Sequence, residues 1–371
     1  MKIFLAFVSL MTTFGLMDNA LALPRFALTT GAKCASCHVN PTGGQMRNEY
    51  GISYSTDKLP LETLKDSDFT YSGKLNDNIS IGGDYRSQLI YDIDSKRSTL
   101  HAMTTTLYGA FKLNTKVTFF YKQDLLNTAY GNRSGPEVFA IAKILPGGWY
   151  IKGGDFLPEY GWRLDDHTSP TRGGDLIAIG GLMWQPNYKD IGVEIGGYAG
   201  GLFLAGGLFN GTGNFQKLDF SSDKAYSGRM EFMGNVSDIN FRVGASGYGF
   251  KNYNLYGLTA GIGGERVALF GELDWSKNRF SPGNGAITEG VTQMAAFAEL
   301  DYLLVQGVWL VGRYGVFDAN QGIADNEVKQ LTLGFELFPY SFVELRPQYR
   351  INLETPSASN DYGLVQMHVW F

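Results

Sequence analysis

Two cysteines and a histidine, Cys34, Cys37 and His38, are the residues of this sequence whose types and spacing best define a chemistry. In the order C-x-x-C-H, two thiols can add across the vinyl groups of one porphyrin, and the histidine that follows can ligate the iron from the proximal side. These are the only cysteines among the 371 residues. The motif therefore predicts one covalently attached haem c, with Cys34, Cys37 and His38 as its attachment residues.

A C-x-x-C pair is also compatible with a local disulfide or with one half of a zinc site. A structural zinc ion needs four protein ligands. No second pair of cysteine or histidine residues occurs at ligand spacing, because His101, His167 and His368 are scattered singly. Haem attachment is therefore the favoured interpretation.

Residues 1–22 have the organisation of a secretory signal peptide. Lys2 precedes an apolar run, and the small residues Ala20 and Ala22 stand just before Leu23. Haem is attached to C-x-x-C-H outside the cytoplasm, and export agrees with that motif. We expect the mature chain to begin near Leu23, and the lack of a cysteine at that point argues against a lipid anchor.

The composition favours β structure in an outer membrane. The chain contains 48 glycines, 25 phenylalanines and 21 tyrosines, and only 18% of its residues are charged. After the signal peptide there is no apolar run of about 18 residues, so no transmembrane helix is predicted. The net charge of −5 gives no reason to expect a nucleic-acid partner.

Residues 23–55 form the predicted haem segment, and residues 56–78 form a predicted linker with Leu59, Leu61 and Leu64 as docking points. The segment is expected to contain one helical turn around the haem motif and a turn at 41–44. A segment this small buries too little surface to cover a porphyrin by itself. The following domain, residues 79–371, must supply the other wall.

Residues 79–371 show the period-two alternation of membrane barrel strands. In one strand, Val267, Leu269 and Leu273 alternate with Phe270 and Glu272. The predicted fold is all-β, a transmembrane antiparallel β-barrel of about 16 strands. The N-terminal haem segment is expected to plug its lumen or its periplasmic mouth.

The connections between the predicted strands alternate between tight turns and long loops, as bacterial barrels require. The predicted strands include 149–156, 174–184, 191–209 and 225–234, and tight turns at Pro146–Gly148, Pro186–Asp190 and Asn235–Asp238 fall on one side. Long loops at 125–136, 157–173, 210–224, 278–290 and 318–327 fall on the other. The last strand ends at Phe371, an aromatic terminus like the signal by which outer-membrane barrels are recognised for assembly.

Met46 and His368 are the two candidates for the second axial ligand of the iron. Met46 lies beyond a Pro-Gly-Gly turn after His38, and a methionine–histidine pair would raise the reduction potential. Packing is the commoner role for such a methionine. His368 shares a strand face with Gln366 and Trp370, so it is predicted to face the lumen near the periplasmic end, where polar lining is its alternative role.

The loop 157–172 is the most chemically dense connection of the barrel. Asp165, Asp166 and His167 carry oxygen and nitrogen donors that suit a ferrous ion or another metal outside the membrane. Trp162 is a candidate to pack over the haem edge. Ordinary solvated loop residues are the alternative interpretation.

A set of charged residues on the barrel strands is predicted to form a paired polar lining of the lumen: Asp84, Arg86, Arg229, Glu231, Glu344, Arg346 and Arg350.

Taken with the barrel, the sequence around Pro24–Ala27, Thr30–Gly31 and Cys34–His38 resembles the fused monohaem cytochrome-porin proteins of bacterial extracellular electron transfer, which include outer-membrane ferrous-iron oxidases. After His38 the chain departs from the Leu- and Phe-containing continuation of the iron oxidases. The resemblance implies single-electron transfer across the outer membrane, between an extracellular donor or acceptor and a periplasmic electron carrier such as a cytochrome. The alternative is a diffusion porin whose haem segment is an accessory periplasmic sensor.

Overall fold

The computed structural model describes residues 24–66, 68–126, 136–164, 169–172, 188–211, 219–281, 286–353 and 360–371. Sixteen antiparallel strands form a closed barrel, in which the last strand pairs with the first long one, from Tyr362 opposite Asp92 to Trp370 opposite Asp84. The prediction of an all-β barrel of about 16 strands is confirmed. Among the described residues, no helix is both long and apolar enough to cross a membrane.

The secondary structure consists of three short helices followed by the strands. The helices are α1 (Pro24–Thr30), α2 (Cys34–Cys37) and α3 (Glu49–Asp57), and short 3-10 turns occur at Glu62–Leu64, Pro146–Gly148 and Pro170–Arg172. The strands are β1 (Lys74–Asn76), β2 (Ile79–Asp92), β3 (Arg97–Lys112), β4 (Val117–Asp124), β5 (Glu137–Ala142), β6 (Tyr150–Phe156), β7 (Asp190–Ala199), β8 (Leu202–Phe209), β9 (Ala225–Val236), β10 (Ile239–Phe250), β11 (Tyr253–Gly263), β12 (Val267–Ser281), β13 (Ala286–Val305), β14 (Val308–Asp318), β15 (Glu327–Tyr340), β16 (Val343–Asn352) and β17 (Tyr362–Trp370). The short strand β1 pairs with the start of β2, and β2–β17 make the barrel.

Alternation along each strand separates an apolar outer face from a polar inner face. On β12, Leu269 and Leu273 are 44% and 40% exposed, whereas Glu272 is 3% exposed. Every second side chain of a strand points to the same face, so the apolar set faces outward. An outer wall of this kind suits a lipid environment.

Short turns lie at the barrel end that carries both termini of the barrel, which is the periplasmic end in bacterial barrels. The turns after β5 and β9 lie there, as predicted, and so do those after β3, β11, β13 and β15. The longer connections after β4, β6, β8, β14 and β16 lie at the opposite end, which is the extracellular end.

One strand prediction between β6 and β9 needs correction, and another, 174–184, lies outside the described residues. Strand β6 pairs with β7. The predicted strand 191–209 is two strands, because Gly200 and Gly201 make a two-residue hairpin turn between Ala199 and Leu202. Asp190 lies opposite Phe156 at the extracellular end, so the predicted tight periplasmic turn at 186–190 is also wrong.

The N-terminal segment, residues 24–62, contacts inward-facing residues around the circumference of the barrel. The segment therefore lies within the ring of inward-facing side chains. Its polar contacts, in chain order, are Arg25 with Glu336 on β15, the Leu28 carbonyl with Asn240 and the Ala32 carbonyl with Arg242 on β10, the Pro41 carbonyl with Tyr198 on β7, and Gln45 with Glu137 on β5.

The end of the segment is attached to the periplasmic turns. The backbone N–H of Leu61 donates to the carbonyl of Phe338 at 2.8 Å, and the side-chain amide of Gln306 donates to the carbonyl of Pro60 at 2.9 Å. Leu59 is buried, whereas Leu64 is exposed. Residues 59–61 thus dock on the wall before the chain enters β1.

Part of the loop 157–172 folds inward from the extracellular end. The backbone N–H of Trp162 donates to Glu272 at 3.1 Å, and its indole N–H donates to the carbonyl of Gly271 at 2.9 Å. Arg172 pairs with Glu272 at 2.7 Å, and Arg229 on β9 pairs with Glu159 at 2.7 Å. The N-terminal segment and this loop therefore both occupy the lumen.

Candidate functional site

Helix α2 places the two thiols of the C-x-x-C-H motif on a single helical turn. The backbone N–H of His38 donates to the carbonyl of Cys34 at 3.2 Å and ends the helix, because His38 itself is extended. Residues three positions apart lie on the same helix face, so the side chains of Cys34 and Cys37 share a face. Both thiols are free, and Cys37 is buried.

A short ribbon folds back beside the motif. His38 and Arg47 form an antiparallel bridge, and the N–H of Val39 donates to the carbonyl of Met46 at 3.1 Å. The turn between them contains Gly43 and Gly44 at φ angles of 93° and 74°, a region that favours glycine. A Cβ added at Gly43 would lie 3.1 Å from the Cβ of Cys34. The turn therefore lies directly against the first cysteine.

Helix α3 holds the other side of the motif. The N–H of Asn48 donates to the carbonyl of Cys37 at 2.8 Å, and its side-chain amide donates to the carbonyl of Ser36 at 2.8 Å. The same side chain caps α3 by accepting from the N–H of Gly51 at 3.0 Å. A Cβ on Gly51 would overlap with the Cys37 carbonyl oxygen. The close contact between α2 and α3 therefore requires glycine at this position.

Burial controls the acidity of both thiols. It raises the pKa of Cys37 to about 12, and the positive charge of Arg47 opposes that rise only in part. Burial also raises the pKa of Cys34, against the opposing charges of Arg242 and Arg229. Both groups are neutral thiols near neutral pH in this fold, which makes them poor nucleophiles while the segment is docked.

Met46 and His368, the two predicted axial ligands, have other neighbours in this structure. Met46 is buried in an apolar cluster that also contains Phe120 and Phe139. Because it precedes Arg47 in an extended ribbon and His38 pairs with Arg47, Met46 points to the opposite face from His38. His368 has both ring nitrogens in hydrogen bonds with carboxylates, Nδ1 with Glu344 at 2.9 Å and Nε2 with Asp84 at 2.8 Å.

The predicted extracellular metal-binding residues, Asp165, Asp166 and His167, lie outside the described residues. Trp162, predicted to pack over the haem edge, packs instead in a cluster with Leu28, Phe270 and Phe297. It contacts the N-terminal segment through α1 rather than through the cysteines. In the parts of the chain that the structure describes, no group of three His, Cys, Asp or Glu residues is arranged to hold a metal ion.

The predicted paired lining of the lumen is present. Arg229 pairs with Glu231, Arg346 lies 3.8 Å from Glu344 and Arg86 lies 3.4 Å from Asp84. Arg350 donates to the side-chain oxygens of Gln348 and Tyr362. Charges that are buried in this way need such partners.

A cavity of about 60 Å³ separates the segment from β12–β17 and β2. Its apolar walls include Phe26, Phe338 and Trp370, which also belong to the apolar cluster that contains Cys37. Its charged walls are five guanidinium groups and three carboxylates: Arg25, Arg47, Arg86, Arg313, Arg346, Glu299, Glu336 and Glu344. Flat aromatic surfaces and cationic groups thus surround one space beside the motif.

The motif carries the donor set of a haem c attachment site, because two free thiols share a helix face and a histidine follows them. A porphyrin is flat, largely apolar and carries two carboxylates, so the aromatic rings and guanidinium groups of the adjoining cavity complement it chemically. The cavity of about 60 Å³ is nevertheless too small to hold a porphyrin. The sequence indicated Cys34, Cys37 and His38, but it missed Arg47, Gly51 and Trp370. Arg47 could have been found from its spacing, because a ribbon that turns at Gly43 and Gly44 places Arg47 opposite His38.

Comparison with known proteins identifies the fold. No protein-family model matches the chain, and no curated protein matches it. Among solved structures, the outer-membrane channel DcaP of Acinetobacter baumannii is 12% identical with a TM-score of 0.52, over 79% of this chain and 97% of that one. OprB of Pseudomonas putida is 10% identical with a TM-score of 0.57, over 79% and 94%. OmpF of Salmonella typhi, solved with daunomycin, is 12% identical with a TM-score of 0.54, over 79% and 98%. The chain therefore has a porin-like β-barrel fold.

Proposed function

We propose that this chain is a bacterial outer-membrane cytochrome in which a porin-like barrel encloses a single haem c and passes electrons one at a time. The donor or acceptor is extracellular, with ferrous iron as the proposed donor, and the partner on the other side is a periplasmic electron carrier. One observation supports this proposal above the others: the segment with Cys34, Cys37 and His38 lies among the inward-facing side chains of the barrel.

Each residue of the motif has a defined role in this proposal. Cys34 and Cys37 would hold the haem through thioethers formed by addition of their S–H groups to its two vinyl groups, and His38 would ligate the iron. The haem would supply one-electron chemistry between the ferrous and ferric states. The rings of Phe26, Phe338 and Trp370, which cluster with Cys37, would shield the group from water, and its burial would tune the potential.

The second axial ligand remains a proposal with Met46 ahead of His368. The thioether of Met46 has no hydrogen bonds to lose and is held by packing alone. His368 would have to give up one of its two hydrogen bonds to carboxylates before a ring nitrogen became available. Ligation by Met46 requires the ribbon after Gly44 to turn over, since Met46 and His38 point to opposite faces.

A diffusion porin with an accessory haem segment is the second candidate function. The comparisons support it more directly, because DcaP is described as a channel and OprB and OmpF share its fold. The contents of the lumen favour the first candidate. Both the N-terminal segment and the described part of the loop contact the inner wall, the segment through Arg25 and Glu336 and the loop through Trp162 and Glu272.

The decisive experiment uses purified holoprotein in liposomes, with a redox dye inside and an impermeant ferrous chelate outside. We expect the dye to be reduced without leakage of small solutes, and we expect the His38→Ala variant to lose this reduction. His101→Ala, which removes a histidine from β3, is the matched control and should retain it. An oxidised dye together with free solute leakage would establish the porin function instead.

The extracellular metal site is tested separately. We propose that Asp165, Asp166 and His167 hold ferrous iron transiently before it gives up an electron. Replacing all three by alanine should slow dye reduction by free ferrous ion but not by a donor that cannot be coordinated. If the variant reduces the dye as fast as the original chain with each of the two donors, this site is removed from the proposal.

A further inference from the structure

The outward face of strand β12 changes from apolar to cationic at the extracellular end of the barrel. Leu269, Leu273 and Trp275 lie on this face, and the two leucines are 44% and 40% exposed. Lys277 and Arg279 continue the same alternation, and both are exposed. Two cations therefore follow directly after the apolar outer wall.

Aromatic side chains mark the two edges of that wall. At the periplasmic end Val267 lies opposite the exposed Tyr302, and at the extracellular end the rings of Trp275 and Tyr256 have centroids 5.8 Å apart. From Val267 to Trp275 the strand extends about 27 Å, which is about 20 Å of membrane height at a tilt of about 40°. The apolar band of an outer-membrane barrel is about 25 Å tall between two aromatic girdles. The two cations, about 5 and 10 Å beyond Trp275, therefore lie at the level of the lipid headgroups.

A β-bulge holds the backbone between the two cations. The register of β12 against β13 shifts between Lys277 and Arg279, and Asn278 adopts a φ angle of 68°. The side-chain amide of Asn278 donates to the carbonyl of Asn252 at 2.8 Å, and its oxygen accepts from the N–H of Gly290 at 3.0 Å. The backbone that carries the cations is thus bonded to the β10–β11 turn on one side and to β13 on the other.

Carboxylates at this end of the barrel have other partners. Glu289 on β13 accepts a hydrogen bond from the side-chain amide of Asn252. Lys329, an outward-facing cation on β15, lies 2.9 Å from Glu327 and shows what a paired surface cation looks like here. Neither cation on β12 lies within 4.0 Å of a carboxylate of the described residues. Their charges are therefore available to a ligand outside the chain.

Phosphate suits two neighbouring cations at the headgroup level. A guanidinium fork binds phosphate oxygens through two parallel hydrogen bonds, and an ammonium group adds a compact positive charge. The apolar wall below suits lipid chains, so a lipid seated on that wall brings its headgroup to both cations. We propose that Lys277 and Arg279 bind the phosphate of an outer-leaflet lipid whose acyl chains lie along Leu273 and Leu269. This inference concerns the outer surface and is independent of the proposed function.

Binding of lipid A, a phosphorylated glycolipid, tests the proposal on the full chain. Native mass spectrometry of the protein in detergent measures the apparent dissociation constant. Lys277→Gln and Arg279→Gln should each weaken binding roughly fivefold, and the double variant roughly 25-fold. Lys329→Gln is the matched control, because it removes an outward cation that is already paired, and it should leave the constant unchanged. All these side chains lie on the outer surface, so the variants should fold.

Dephosphorylated lipid A separates recognition of the charge from packing of the acyl chains. It should bind the original chain and the double variant equally. If the original chain binds lipid A equally well with and without its phosphates, the proposal is overturned without any variant. A loss in Lys329→Gln as large as that in the double variant would overturn it too. If inorganic phosphate binds the original chain as tightly as lipid A does, the pair is a site for a free anion and the lipid assignment is wrong.

Discussion

The guanidinium of Arg25, in the first helix, forms a buried ion pair with Glu336 on β15, 311 residues later in the chain. The same guanidinium lies 3.5 Å from Asp301 on β13. All three side chains are almost fully buried. This cluster attaches the start of the segment to the wall of the barrel.

Removing Arg25 should release the segment from the wall. In Arg25→Ala, Glu336 and Asp301 are left buried without their shared cation, and breaking such a pair costs about 3–5 kcal/mol. Limited proteolysis of the reconstituted protein should cut residues 24–62 at least about a hundredfold faster. The control is Lys74→Ala, which removes a half-exposed pair with Glu49 and should cost about 1 kcal/mol or less. Equal cleavage rates in the two variants would show that Arg25 does not anchor the segment.

Gly51→Ala should loosen the contact between α3 and the haem motif. The added methyl group overlaps with the carbonyl oxygen of Cys37, and overpacking of this kind costs about 1–3 kcal/mol. We expect a lower midpoint of chemical unfolding for the segment, followed by the fluorescence of Trp370. Gly363→Ala is the control, because its added Cβ meets no described atom within 4 Å. A Gly51→Ala midpoint equal to that of the control would contradict the close contact.

Alkylation should show that the thiols are buried in protein produced without haem attachment. Because the pKa of Cys37 is raised from 9.0 to about 12, its thiolate fraction at pH 8 falls roughly a thousandfold. Iodoacetamide should therefore modify Cys37 far more slowly in the folded protein than in urea, as mass spectrometry would measure. Similar rates in both states would place the thiol in solvent.

The same pKa shift has a consequence for stability. Between pH 9 and 12 the folded chain keeps a proton on Cys37 that the unfolded chain has lost. The free energy of unfolding should therefore decrease as the pH rises through this window, and the decrease should be smaller in Cys37→Ser. Unfolding curves of the haem-free protein at several pH values would measure the difference. Parallel curves for the two proteins would contradict it.

Trp162 should hold the inward loop in place by both packing and hydrogen bonding. Trp162→Ala empties a buried site and removes the indole donor to Gly271, at a cost of about 3–5 kcal/mol. Trp162→Phe keeps most of the packing and should cost about 1 kcal/mol for the lost hydrogen bond. Planar bilayers should show rare openings in the alanine variant and none in the phenylalanine variant. If neither variant shows conductance openings, the position of the loop does not depend on the Trp162 side chain.

The strands could be predicted from sequence because period-two alternation is a local signal. The apolar and polar faces of β12 and β16 follow the alternation residue by residue. The hairpin at Gly200 and Gly201 was missed because the alternation continues through it in a glycine-rich stretch.

The position of the segment could not be predicted from local patterns. The bond between Arg242 and the Ala32 carbonyl joins residues 210 positions apart, and no spacing in the sequence reveals it. Helices α1 and α3 were also missed, because short helices depend more on tertiary contacts than on propensity. The haem motif could be predicted because its two cysteines and its histidine lie within five consecutive residues, Cys34 to His38.

The segment and the inward loop meet where Arg163 donates to the hydroxyl of Thr42 at 3.3 Å. Arg163 is also bonded to Glu159, while Thr42 adjoins the glycine turn that lies against Cys34. The segment enters from one end of the barrel and the loop from the other. A displacement of residues 157–164 at the extracellular end would therefore reach the turn beside the first cysteine through this hydrogen bond, and helix α1 through the packing of Trp162 against Leu28.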